Sequence, residues 1–246
     1  MDILICISHV PDTTTKIKFT NDGSSLDASG VSFVINPYDE FGLARALELN
    51  EAGTISGRIT ILCVGTADVD PTIRKALAVG GEKAVRINLA PTDAFEVAQQ
   101  IAGYLKEDPH DIVMMGKESI DNNGSQVPGM VASLLDWSFV SFATSLEIEN
   151  GTPVLTREID GGQEVLEVQP PFVLSAQKGL AEWRIPNMRG IMQARRKPLE
   201  VKEPYYTGAK TEAVQYELPP PKSETVYIEP ENMDKLVTVL AEKGIL

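Results

Sequence analysis

The sequence predicts an α/β fold: an open, mostly parallel sheet with helices on both faces, followed by a small antiparallel extension and a C-terminal arm with a helix. Three observations predict it. Short apolar runs alternate with longer amphipathic stretches through roughly the first 140 residues, the pattern of strand–helix–strand units. From TSLEIE (144–149) onward, strand-like segments follow one another directly, joined by Asp160-Gly161-Gly162. A proline-rich run then separates them from a last amphipathic stretch.

Each element follows in order. Residues 2–8 are almost wholly apolar and read as a buried strand. Residues 13–30 are polar and turn-rich, an excursion with a short hairpin. INPYDEFGLARALELNEAG (35–53) reads as a helix: Asn36 can cap it, Pro37 suits its first position, and Asp39 and Glu40 favour the positive end of its dipole. Gly53 can end it. RITILCVG (58–65) is a second buried strand, and DPTIRKALAVGG (70–81) a helix with Pro71 near its start and glycines past its end. KAVRINL (83–89) is a strand, and TDAFEVAQQIAGYLKE (92–107) a helix opened by Thr92. DIVMMG (111–116) is a strand that leads through KESIDNNGS into the helix QVPGMVASLLDW (126–137). PVLTREIDGGQEVLEV (153–168) reads as antiparallel strands and PPFVLSA (170–176) as a short one. Residues 197–224 read as an extended arm. EPENMDKLVTVLAEKG (229–244) is a helix with Met233, Leu236, Val237 and Leu240 on one face, which must cover something, on this chain or on a partner.

The composition narrows the function. The formal net charge of −13 argues against general nucleic-acid binding, which needs a basic face. No run approaches the ~18 apolar residues of a membrane span, and the start of the chain has no leader pattern. Both cysteines, Cys6 and Cys63, sit inside apolar runs and read as core residues of a reducing compartment.

The inventory for catalysis is thin. There is no H-E-x-x-H, no G-x-S-x-G elbow, no Walker A loop and no G-x-G-x-x-G. Of two histidines, His9 follows the first strand, within reach of a ligand, and His110 reads as a surface residue. Glu158 and Asp160 lie two apart, which on a strand puts both on one side; they form either a shared site or a charged strand end. The best small-molecule candidate is the loop Gly116 to Gln126. Gly116 and Gly124 allow close backbone approach, Ser125 offers a hydroxyl, and the helix start offers free N–H groups to a phosphate. Asp121 suits a ribose hydroxyl or an amine rather than a phosphate. One further segment stands out: Trp183 to Lys197 carries Arg184, Arg189, Arg195, Arg196 and Lys197 with no acid, and has Met188 and Met192 among them.

These pieces, in order and spacing, resemble the beta subunit of electron-transfer flavoprotein along essentially the whole chain. The segments that carry the resemblance are NPYDE, TIRKALAVGG, GKESIDNNGSQ running to LLDW, REIDGGQEVLEVQPPFVLSA and IMQARRKP. The resemblance implies a Rossmann-like, adenine-nucleotide-binding domain over 1–198, with a recognition loop at 176–198, and an arm and helix over 199–246 that pack on an alpha subunit. It implies an electron carrier rather than an enzyme, with FAD shared with the alpha subunit and AMP held in a structural role. Electrons would come from flavin dehydrogenases, such as the acyl-CoA dehydrogenases of fatty-acid oxidation, and pass to a membrane quinone oxidoreductase without direct membrane insertion. The compartment expected is the bacterial cytoplasm, or the mitochondrial matrix for a eukaryotic mature form.

Carried over by residue, the nucleotide pocket takes in Cys6, Asn36, Pro37, Tyr38, Asp39, Val64 and the loop that includes Gly116, Lys117, Asp121, Asn122, Asn123, Gly124, Ser125, Gln126 and Val127. Tyr38 aligns with an aromatic that approaches the flavin, and Glu158 with an acid that pairs with an arginine of the alpha subunit. Four positions depart from the family pattern. Ser125-Gln126-Val127 stands where Asn-Gln-Thr is common, Pro128 where glycine is, and Ser8 where lysine is. In the recognition loop Met188 takes the place of an exposed apolar anchor, with Arg184, Arg189, Ile191 and Met192 around it to meet a dehydrogenase. Alternatives are a bifurcating type with a second FAD in place of AMP, a stand-alone adenine-nucleotide-binding protein, and a scaffold subunit without nucleotide.

Overall fold

The first strand, β1 (Ile3–Cys6), is buried at every position. It is an inner strand of the sheet in this computed structural model, which describes residues 1–206, 208–222 and 225–246. A two-stranded antiparallel ribbon follows, β2 (His9–Pro11) with β3 (Phe33–Ile35). Between them the excursion folds back at an isolated Phe19–Leu26 bridge. Then come α1 (Pro37–Glu51), β4 (Ile59–Val64), α2 (Asp70–Val79), β5 (Lys83–Ile87), α3 (Ala94–Glu107), β6 (Ile112–Gly116) and α4 (Val127–Leu135). The antiparallel part is β7 (Ser138–Glu149), β8 (Thr152–Ile159) and β9 (Gly162–Glu167). β10 (Phe172–Ala176), α5 (Met188–Ala194), β11 (Leu199–Lys202) and α6 (Met233–Glu242) complete the chain.

The nine-stranded sheet runs β11-β5-β4-β1-β6-β10-β7-β8-β9, parallel from β11 through β7 and antiparallel beyond. Its inner strands read as unbroken apolar runs because each face meets a helix layer. Ile3, Ile5, Ile61 and Met114 pack with Leu43 and Leu47 of α1 and Ile73 and Leu77 of α2. Leu4, Leu62, Val85 and Val113 pack on the other face with Ile101 and Tyr104 of α3 and Val131 of α4. The predicted α/β class, with helices on both faces, is the class observed.

Several local expectations are corrected. Asp93, not Thr92, caps α3: its carboxylate accepts from Glu96 N at 2.8 Å, while Glu96 turns back to Thr92 N. His110 is not on the surface. It is 3% exposed, with Nδ1 against Asp108 O (2.9 Å) and Nε2 against Thr60 Oγ1 (3.1 Å). Burial pulls its pKa below the ordinary histidine value. The expected arm starts extended but not free: its Leu199–Lys202 pairs with β5 at the sheet edge. Thr207, Ser223 and Glu224 of that arm lie outside the described residues. Past β11 the chain is strapped along α3: Tyr205 N donates to Gln100 Oε1 (2.8 Å), and Gln100 Nε2 donates to Tyr206 O (2.6 Å). It reaches the excursion, where Tyr216 stacks on Phe19. No residue of α6 is buried, and Met233, Leu236 and Val237 of its apolar face are exposed.

Candidate functional site

The strand order reverses at β1: the chain steps outward through β4 and β5 on one side, then returns to β6 on the other. Connections leave β1 and β6 toward opposite faces, so a crevice opens past their carboxyl ends, where open α/β sheets bind ligands. A cleft lies there, floored by Cys6 and Leu62 and walled by Val97 and Ile101 of α3 and by the loop from Gly116 to Pro128.

The NPYD segment builds this loop from behind. Asn36 holds the N-cap position of α1, yet its side chain makes no cap bond. Its Nδ2 donates to Glu118 O (2.8 Å) and its Oδ1 accepts from Ile120 N (3.2 Å). Asp39, one turn on, accepts from Ser8 N (2.7 Å) and Gly116 N (2.6 Å), so one carboxylate ties the exits of β1 and β6 together. Gly116 has no room for a side chain: a Cβ would stand 2.6 Å from both Asp39 Oδ1 and Tyr38 Cβ. Burial pushes the Asp39 carboxyl up to about 7, against the two backbone N–H bonds, which favour its anion. Burial and the Asp39 charge push the Cys6 and Cys63 thiols up as well, Cys63 to about 12, so neither is a nucleophile near neutral pH.

The loop ends at the start of α4. Asn123 and Ser125 both adopt left-handed backbone, φ 50° each, on either side of Gly124. Among the described residues no protein acceptor takes the N–H of Ser125, Gln126 or Val127. Gln126, at the N-cap, makes no side-chain cap bond. Pro128 sits in the first turn, where its missing N–H removes no helix bond. These free donors at a positive helix end suit a phosphate, and the apolar walls suit a base. The Glu118 carboxylate suits neither: it accepts from Ser125 Oγ (3.2 Å) across the loop and pairs with Lys117 (3.2 Å). The cleft encloses about 90 Å3, below the ~300 Å3 at which typical ligand pockets start.

Of the residues expected from sequence, Cys6, Asp39, Gly116, Lys117, Asn122 and the run Gly124 to Val127 line the cleft. Asn36 is fully buried behind it. Pro37, Tyr38, Val64, Asp121 and Asn123 stand outside its lining. Tyr38 instead lies under the Lys117 ammonium, 4.9 Å from ring centroid to Nζ. The α3 wall was not foreseen, although the apolar spacing of AFEVAQQIA carries the signal. His9 lies outside the lining, stacked on Phe33 (4.2 Å) and bonded to Thr72 Oγ1 (2.7 Å).

The basic segment is a second, separate surface. Met188 and Met192 of α5 are 73% and 69% exposed, and Ile191 is exposed beside them. Trp183 and Ile185, which the sequence reading passed over, are exposed too, Ile185 at 77%. Five large apolar side chains in one short stretch make an exposed patch of the kind that marks an interaction site. Arg184 is held by Glu51 through two bonds (2.7 and 2.9 Å), whereas Arg189 and Arg196 flank Met192 at the surface. Glu158 is exposed near the end of β8.

Comparison with known proteins bears on both surfaces. Residues 24–205 match the electron transfer flavoprotein domain family. The chain is 35% identical over 243 residues to a Syntrophomonas wolfei protein called electron transfer flavoprotein subunit beta, covering 98% of this chain and 95% of that one. The chain belongs to the electron-transfer flavoprotein beta-subunit family. A Homo sapiens member of that family is 31% identical over 98% of this chain and 97% of its own length. A Bacillus subtilis member is 33% identical over 81% of this chain and 78% of its own length. The role of the chain is therefore in an electron-transfer flavoprotein. Among the described residues no helix is long and apolar enough to cross a membrane.

Proposed function

We propose that this chain is one half of a heterodimeric electron carrier. Its partner is an electron-transfer flavoprotein alpha subunit, which holds most of an FAD near the interface. The carrier serves flavin dehydrogenases on one side and a quinone oxidoreductase on the other; FAD, when bound, would supply the redox chemistry, and this chain supplies binding and position. The cleft past β1 and β6 holds AMP. Its phosphate sits at the N–H groups of Ser125, Gln126 and Val127, and its base lies against Val97 and Ile101. The Trp183–Met192 segment meets the donor dehydrogenase, with Met188 and Ile185 as apolar anchors.

One observation carries the heterodimer reading. α6 follows a long arm and exposes Met233, Leu236 and Val237, a face with the apolar spacing of a packed helix and no cover among the described residues. The relatives carry the word subunit in their names, which supports a second chain as that cover. The test is expression alone and together with an alpha-type subunit. The pair should purify as one complex with flavin absorbance, and amide exchange in 233–242 should slow on assembly. A flavin-binding chain that stays monomeric beside the alpha subunit would sink the proposal.

A further inference from the structure

α5 has little apolar footing. It is seven residues long, and Ala194 is its one buried residue. A helix that short does not persist on its own propensity, and its apolar side chains point outward rather than into the core. Two cations hold it instead. Lys197, just past α5, reaches the C-terminal turn of α2, where Nζ donates to Leu77 O (2.8 Å) and Gly81 O (2.7 Å) and lies 3.4 Å from Gly80 O. Arg74, on α2, reaches the other way: its Nη1 donates to Ala194 O (2.8 Å) and Lys197 O (2.7 Å). Each cation thus caps the terminal carbonyls of the other's helix, where the dipole favours positive charge. Gly190 completes the seat, because a Cβ there would stand 2.3 Å from Ala78 O.

We infer that Arg74 and Lys197 are positioning residues for the docking segment: their reciprocal caps fix α5 on α2 and so present Ile185, Met188 and Met192 in one orientation to a partner. The inference rests on the reading of Trp183–Met192 as the docking surface. It divides the basic run by task. Arg184 and Lys197 are tied internally, and Arg189, Arg195 and Arg196 stay at the surface for an acidic partner.

The test uses the full heterodimer with Lys197→Met, Arg74→Met and the conservative Lys197→Arg. Amide exchange in 188–194 should quicken at least about tenfold in both Met variants, while flavin content and exchange of the sheet core stay unchanged. With a reduced acyl-CoA dehydrogenase titrated as donor, KM should rise roughly tenfold with kcat retained, and Lys197→Arg should recover most of the loss. Unchanged exchange in 188–194 would overturn the inference, as would faster exchange with an unchanged KM. Ile185→Asp and Met188→Asp serve as the separate check: if neither raises KM, the docking reading itself falls, and the inference with it.

Discussion

Asn36→Ala removes the side chain that holds the Gly116–Pro128 loop from behind. Two hydrogen bonds go with it, from Nδ2 to Glu118 O and from Ile120 N to Oδ1, both in a part-buried setting. At about 1 kcal/mol net each, the loss is about 2 kcal/mol. For a chain of this size that lowers the melting temperature by roughly 4–8 °C. The same energy bears on binding, because a loop no longer held must be ordered by the nucleotide; a 2 kcal/mol penalty weakens AMP by roughly 30-fold. Thermal unfolding and equilibrium dialysis with labelled AMP, both on the heterodimer, read the two effects. Asn36→Asp is the informative companion. It keeps an acceptor for Ile120 N but turns a second acceptor toward Glu118 O, so it should fare no better than alanine. A melting temperature within about 1 °C of the parent and unchanged AMP affinity would refute the role given to Asn36.

Three further outcomes are expected. Gly116→Ala should destabilise by about 1–3 kcal/mol or abolish folding, since its Cβ would meet Asp39 and Tyr38 at 2.6 Å; denaturant titration reads it. The Asp39 carboxyl is raised to about 7 in the folded chain, against an unfolded value of roughly 3.9. Its contribution to stability is therefore full below the unfolded value and is lost as pH rises through the folded one. Unfolding titrations between those limits should show the parent losing stability relative to Asp39→Asn; parallel curves would contradict this. Met188→Asp, with flavin content unchanged, should slow electron acceptance from the physiological dehydrogenase at least tenfold, because removing a buried anchor costs ~2 kcal/mol or more; stopped-flow flavin reduction measures it, with Ile185→Asp beside it.

The sheet and its layers were legible because they rest on local pattern. The runs DILICIS, RITILCVG and DIVMMG are mostly apolar, the helices between them carry Pro or Asp at their starts, and glycine follows the ends of α1 and α2. The loop that walls the cleft was legible for the same reason: Gly116, Gly124 and Ser125 between strand and helix are themselves the signal. What escaped depends on contacts distant in sequence. Asn36 reads as a cap, but its side chain is drawn to Glu118 and Ile120, which only the folded sheet brings near. His110 reads as surface because its partner Thr60 lies on another strand. Leu199–Lys202 reads as arm because nothing local announces an edge strand beside β5. Lys197 looks like one more surface cation of a basic run, and only the approach of α5 to α2 shows it capping a helix.

The most direct measurement is to co-express the chain with its alpha-type subunit, denature the purified complex and identify the released nucleotides by mass. One FAD and one AMP per heterodimer is the expected result, with the cleft past β1 and β6 holding the AMP. Two FAD and no AMP would make that cleft a redox site, and no adenine nucleotide beyond the FAD would contradict the assignment of the Ser125–Val127 donors to a phosphate.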